Sequence, residues 1–251
     1  MKRTIISFLA ASAFLLGLIT ATAQKKDKPW TDWSKKEAEK MLDESPWAKI
    51  QTDTDTSEMF FSTTERSGGL TAEQRQVQAD RSATGAVNQA VNVKFYVRFF
   101  SARPVRQALA RIMELDQKPP PEAIAKLHNF AELKSTNSII VTVTYTSTDQ
   151  RYSGVVMQAF NSATTGTLKN ATYLERSDGK RLFLEEYVPP GKDGFGARFI
   201  FLRELSGQPF ITNDITNDIG QVRFYAEYPN GIKVNRRFKV AEMIYDGGLE
   251  Y

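Results

Sequence analysis

One stretch in the middle of the chain restricts its fold more than any other. Val91 to Leu115 reads V-N-V-K-F-Y-V-R-F-F-S-A-R-P-V-R-Q-A-L-A-R-I-M-E-L. Val91, Val93, Phe95, Val97 and Phe99 alternate with Asn92, Lys94, Tyr96, Arg98 and Phe100, the period-2 signature of a half-buried strand. The period then becomes helical. Val105, Ala108, Leu109, Ile112 and Met113 form one apolar stripe, and Pro104 suits a first helical turn. A strand feeding straight into a helix must have a sheet on one side and room for helix packing at its end.

The first residues read as an address. Lys2 and Arg3 precede an apolar run from Ile5 to Ile19, and Ala21-Thr22-Ala23 offers an A-x-A cleavage signature before Gln24. The run is shorter than the roughly 20 apolar residues of a membrane span. Residues 1–23 are therefore expected to be a signal peptide, with no transmembrane segment after its cleavage. Of the formal net charge of +4, Lys2 and Arg3 supply two. The sequence contains no cysteine. That rules out a lipid-modified cysteine after the leader, disulfides, thiolate metal sites and a thiol nucleophile, and leaves an apolar core to hold the fold.

Residues 24–49 follow as a polar lead-in and a short helix bracketed by Trp30, Trp33 and Trp47, which are all the tryptophans of the chain. Ser34 and Glu37 have capping-box spacing, Trp33 and Ala38 occupy the staple positions, and Pro46 ends the helix at Ser45. Ala38, Met41, Leu42 and Ser45 share a face. The other face mixes Lys35, Lys36 and Lys40 with Glu37, Glu39, Asp43 and Glu44, whereas a helix lying on an anionic membrane is more one-sidedly basic. Packing back onto the sheet is favoured over a free docking helix. Residues 50–90 are expected to hold one strand within T-D-T-D-T-S-E-M-F-F and a polar linker. Asp53, Asp55 and Ser57 resemble the start of a calcium loop, but Glu58 replaces the turn glycine and Thr64 the closing glutamate.

The main domain is expected over 91–251. A second helix, Pro121 to Leu133, carries the single histidine, His128, beside its apolar stripe. Ile139 to Thr146 is a strand, and Gly154 to Phe160 is consistent with helix or strand. Beyond Ala171 hairpins dominate, at Ser177-Asp178-Gly179 and at Pro229-Asn230-Gly231. Ala197 to Arg203 forms a further strand, and T-N-D-I-T-N-D-I (212–219) forms a polar loop. The pattern predicts an α+β fold with predominantly antiparallel sheet, a sandwich or a partly open barrel, one short N-terminal amphipathic helix and two central helices.

The leader, the W-x-x-W-S-K-K-E-A-E-K-M-L-x-x-S-P-W stretch, the S-A-R-P-V-R-Q-A-L-A-R junction and the F-K-V-A-E-M-I-Y-D-G-G-L-E-Y end together resemble a family of uncharacterised exported bacterial proteins. The resemblance implies export to the periplasm or the medium and assigns no activity.

Catalysis has few candidates. Any Ser-His-Asp arrangement depends on His128. Glu185-Glu186 and Asp214 with Asp218 are neighbouring acids with no implied spacing in space. No catalytic, metal or cofactor residue is assigned and no cofactor is expected. Two binding features stand out. Ser101, Arg103 and Arg106 sit at the start of the central helix, where arginines oppose the helix dipole unless an anion answers them, so they form a candidate anion site. Lys94, Tyr96 and Arg98, with Arg223, Tyr225, Lys233, Arg237 and Lys239, lie on one side of their strands and would build a basic, aromatic sheet face if those strands are neighbours. The leading expectation is an exported cell-envelope structural or interaction protein that is not a catalyst. The alternative is a binding module taking an anionic envelope polymer or a lipid headgroup on that face. A carboxylate-based hydrolase ranks below both, and export argues against a nucleic-acid partner.

Overall fold

A computed structural model describes residues 28–55, 72–83, 91–134, 137–212 and 220–251. The leader, Ser57, Glu58, Phe60, Phe61 and Thr64 of the 50–90 segment, and Asp214 and Asp218 of the tandem loop lie outside the described residues.

In chain order the elements are α1 (Lys35–Asp43), β1 (Ala48–Asp55), α2 (Ala72–Ala83), β2 (Val91–Phe99), α3 (Arg103–Gln117), α4 (Pro121–Glu132), β3 (Ser138–Ser147), α5 (Gln150–Ser162), α6 (Thr165–Leu168), β4 (Thr172–Arg176), β5 (Arg181–Phe183), β6 (Glu186–Val188), β7 (Ala197–Leu202), β8 (Glu204–Leu205), β9 (Gln208–Pro209), β10 (Gln221–Glu227), β11 (Lys233–Lys239), β12 (Ile244–Tyr245) and β13 (Gly248–Leu249). The fold is α+β. Two all-antiparallel sheets, β1-β2-β3-β7-β6 and β11-β10-β4-β5, stack as a sandwich. Their inner faces meet through aromatic pairs: Phe99 packs edge-on to Phe238 with ring centroids 4.8 Å apart, and Phe199 edge-on to Phe224 at 5.1 Å. Such edge-to-face contacts add roughly 0.5–1.5 kcal/mol each beyond area burial. The inward strand residues Val93, Phe95, Val97 and Phe99 are all buried, as their period requires.

The two sheets are joined differently along their two sides. On one side the chain passes from β5 to β6 within a few residues and so changes sheets. On the other, edge strands β1 and β11 face each other without pairing. There the Gln51 amide donates to the Lys233 carbonyl at 2.7 Å and accepts from the Asn235 N–H at 2.7 Å. One side chain thus makes the two bonds that a neighbouring strand would make.

Helices fill the ends. At one end α5 inserts Phe160 between the sheets, stacked on Tyr228 at 4.9 Å, with Phe95 and Tyr145 around it. At the other, α3 packs between α1 and α4. The α1 capping box forms as its sequence predicts: Ser34 accepts from the Glu37 N–H and Glu37 from the Ser34 N–H. Trp33 and Trp47 are buried, and Trp47 donates to the Glu250 carbonyl at 2.7 Å. The N-terminal helix therefore belongs to the sandwich. So does β1, which pairs residue for residue with β2 from Ala48↔Arg98 to Asp55↔Val91. Residues 28–55 share one core with 91–251, rather than preceding a separate domain. Among the described residues no helix is long and apolar enough to cross a membrane.

Candidate functional site

The outer face of the β11-β10-β4-β5 sheet carries an ordered charge pattern. Antiparallel register places Arg181, Glu175, Arg223 and Arg237 in one row across the four strands, and Phe183, Tyr173, Tyr225 and Asn235 in the next. Neighbouring strands lie about 4.7–4.9 Å apart, so each row runs roughly 14 Å across the sheet. Among the described residues no helix packs on this face, and Arg181, Phe183, Lys233, Asn235, Arg237 and Lys239 are exposed.

The aromatic row supports the charged one. Tyr173 stacks on Tyr225 at 5.1 Å and meets Phe183 edge-on at 5.9 Å. The Arg181 guanidinium lies 4.3 Å from the Tyr173 ring centroid and that of Arg223 lies 5.0 Å from Tyr225. These are cation–π distances, so both guanidiniums rest against the aromatic row. Glu175 sits between the two, 2.5 Å from Arg181 Nε and 3.4 Å from Arg223 Nη1. The Arg181 hydrogen bond, reinforced by Arg223, holds the Glu175 carboxyl below the usual carboxylate range. Glu227 accepts from the Tyr225 hydroxyl at 2.6 Å and pairs with Lys233 at 3.3 Å, which lowers it too, while the same bond raises Tyr225. Both carboxylates are thus ionised and committed to partners, the wrong state for a general acid at neutral pH.

The candidate face is corrected in one respect. Lys94, Tyr96 and Arg98 do not join it. Strand β2 belongs to the other sheet, and the outer faces of a sandwich look in opposite directions. Arg98 is moreover not available: it donates to the Leu42 carbonyl at 2.6 Å, to Thr144 Oγ1 at 2.8 Å and to Asp43 at 3.1 Å, binding α1 to the sheet. Arg223, Tyr225, Lys233, Arg237 and Lys239 do share one surface. Sequence reasoning missed Arg181, Phe183, Tyr173 and Glu175, although the Ser177-Asp178-Gly179 hairpin places Glu175 opposite Arg181 and Tyr173 opposite Phe183.

The candidate anion site at the α3 N-terminus already holds anions, and they are the protein's own. Glu250 accepts from the Arg103 N–H at 3.3 Å and lies 3.4 Å from Arg103 Nε, while Asp246 approaches the same guanidinium at 2.8 Å and Glu132 at 3.8 Å. Arg106 is buried and donates to the carbonyls of Phe100, Ser101 and Leu133. The Ser101 hydroxyl accepts from the Ile140 N–H at 3.1 Å. The adjoining concavity of about 370 Å³ is lined by Glu132 and Glu250 as well as by Arg103, Lys134 and Arg203, so its cations already face the protein's own carboxylates. His128 is half-buried and hydrogen-bonds Glu114, which also pairs with Arg111 at 3.0 Å. It ties α4 to α3. Among the described residues no group of three or more metal-ligating side chains converges.

Searches against protein-family models, curated proteins and solved structures found no match.

Proposed function

We propose that this chain is an exported cell-envelope interaction protein, not a catalyst, that holds an anionic envelope polymer on the outer face of its four-stranded sheet. The observation that carries the reading is the cationic row Arg181, Arg223 and Arg237, flanked by Lys233 and Lys239 and backed by Tyr173 and Tyr225. Guanidiniums already seated on aromatic rings lose little conformational freedom on binding, which favours affinity. The cations spread over about 14 Å, a length that suits successive charges of a polymer better than one lipid headgroup. Phe183 is the one large apolar side chain of the face that is strongly exposed, at 48 %, which is little to insert into a membrane. Export rests on the leader pattern of residues 1–23.

The test measures binding of the chain from Gln24 onward to a polyuronate and to linear polyphosphate over a range of salt. Binding should weaken steeply with salt. It should fall at least tenfold in Lys233→Gln/Arg237→Gln/Lys239→Gln and be unchanged in Lys94→Gln on the opposite sheet. No binding to either polymer, or equal binding by the triple variant, would overturn the reading. N-terminal sequencing of exported protein should begin at Gln24, and an intact Met1 would count against export.

A further inference from the structure

The charge row on the four-stranded sheet alternates until its last step. Arg181 meets Glu175 and Glu175 meets Arg223, but Arg223 then meets Arg237 directly across the strand pair. The kind of pair matters. Lys233 and Asn235 point their backbone bonding groups at Gln51, away from β10. By the alternation of an antiparallel ladder Arg237 does the same, so Arg223↔Arg237 is a non-hydrogen-bonded pair, the type whose side chains stand closest. Like charges directly opposite at such a position are destabilising.

The surroundings relieve only one of the two. Arg223 has Glu175 and Asn235 Oδ1, the latter at 2.8 Å from its Nε. Arg237 has no ion-pair or hydrogen-bond partner among the described residues. Beside the pair lies a notch of about 300 Å³, lined by Arg176, Ser177, Gln221, Arg223 and Arg237 and by one carboxylate, Glu175, which is already paired with Arg181 and Arg223. Arg237 also borders a second concavity containing Lys49 and Arg236, with no carboxylate in its lining. Positive potential therefore accumulates on the Arg237 side of the face.

We infer that the Arg223–Arg237 pair is a seat for one phosphate group, and that the anionic polymer proposed above is a phosphate-bearing one. The inference rests on that reading of the face and adds the chemistry of its charged group. A carboxylate has two oxygens and one charge and is satisfied by a single guanidinium fork. A phosphate presents three or more acceptor oxygens in a tetrahedron, so guanidiniums from adjacent strands can each donate to it, Arg237 through its whole fork and Arg223 through the Nη2 that Asn235 and Glu175 leave open. It also supplies the negative charge that the row lacks at this step.

The experiment titrates the chain from Gln24 onward with inorganic phosphate and, separately, acetate at matched ionic strength, following the arginine side-chain Nε–Hε resonances. Phosphate should move the Arg223 and Arg237 signals saturably, with acetate at least tenfold weaker. Arg237→Gln should lose phosphate affinity tenfold or more, and Arg237→Lys, which keeps the charge without the fork, should fall between. Arg237 is exposed, so neither variant should melt below the parent, and Arg237→Gln, which removes the like-charge pair, should melt at or slightly above it. Equal responses to phosphate and acetate, an unsaturable response, or full affinity in Arg237→Gln would each overturn the seat. If the inference fails while polyuronate still binds in the parent and not in the triple variant, the polymer reading survives without it. If neither polymer binds, that reading falls, and the phosphate titration still judges the seat by itself.

Discussion

Arg98 ties the N-terminal helix to the sheet through three of its own bonds, and replacing it with alanine tests that attachment. Its side chain is 14 % exposed and donates three hydrogen bonds, to Leu42, Thr144 and Asp43. Leu42 and Asp43 lie in the last turn of α1, where carbonyls lack helical partners and a cation is favoured. Hydrogen bonds from a charged donor contribute about 1.5–3 kcal/mol each. The Asp43 pair, 40 % exposed on the acid side, contributes less. Burying the guanidinium costs part of that gain, and burial also lowers its pKa against the pull of Asp43. A net loss of about 2–4 kcal/mol is expected for Arg98→Ala. Because the three tryptophans lie between residues 30 and 47, their fluorescence reports on this segment, while far-ultraviolet circular dichroism reports on the whole chain. With a urea m-value of roughly 2–3 kcal/mol/M, the fluorescence midpoint should fall by about 1 M, ahead of the dichroism midpoint. Arg98→Met, which keeps the aliphatic stem, should behave like Arg98→Ala. A midpoint within about 0.2 M of the parent in both variants would refute the idea that this guanidinium secures the helix.

Three further outcomes are expected. The Ser34 backbone and hydroxyl bonds, aided by Lys28, hold Glu37 at about 2 against an ordinary 4.5. Its capping contribution is therefore complete above 4.5 and is lost as pH falls through 2, and Glu37→Gln should abolish that dependence in amide exchange of the first α1 turn. Burial pushes Tyr187 up to about 12, and its hydroxyl donates to the Phe160 carbonyl at 2.7 Å. The stability it confers is present below the ordinary phenol value of 10 and disappears as pH rises through 12. Tyr187→Phe should cost about 1–3 kcal/mol in a denaturant melt. Gly196 has φ +78°, and a Cβ there would be driven into the Val143 carbonyl and lie 2.6 Å from Thr144 Cγ2. Gly196→Ala should cost about 2–4 kcal/mol, a fall of roughly 5–15 °C in Tm, and an unchanged Tm would mean that β3 and β7 shift freely there.

The elements that were legible in the sequence are those with one wet and one dry side. Val93 to Phe99 and the hairpin turned by Pro229-Asn230-Gly231 bury alternate residues, so period alone exposes them, and Ile139, Val141 and Val143 keep the same period although Thr142 between them is buried as well. Helix α5 has no clear period in the sequence because Val155 and Met157 are apolar yet exposed, which blurs the stripe of Val156, Ala159, Phe160 and Ala163 that the core selects. Strand β1 begins ahead of the stretch the sequence marks, because an edge strand of lysine, glutamine, threonine and aspartate has no apolar period to read. Its pairing with β2 is set by the neighbour's backbone and by Trp47 and Ala48. Strand order was out of reach. The runs V-K-F-Y-V (93–97) and V-R-F-Y-A (222–226) are alike because β2 and β10 occupy similar places, each one strand in from an edge of its sheet. The candidate face split for the same reason: alternation tells which side of a strand a residue is on, but not which sheet the strand joins.

The bond from Gln51 across to β11 has a consequence for solubility. An uncovered strand border is a template on which other chains add, and most sheets carry two such borders. Here four would be available, two per sheet. The borders ending in β5 and β6 are three-residue strands, too short to recruit a partner of useful length. The longer ones, β1 and β11, point at each other, so a foreign strand must displace the Gln51 amide before it can pair with either. Gln51→Ala frees both at once. Its expected penalty is therefore less in stability than in self-association, which should appear as concentration-dependent light scattering from a chain that still melts cooperatively.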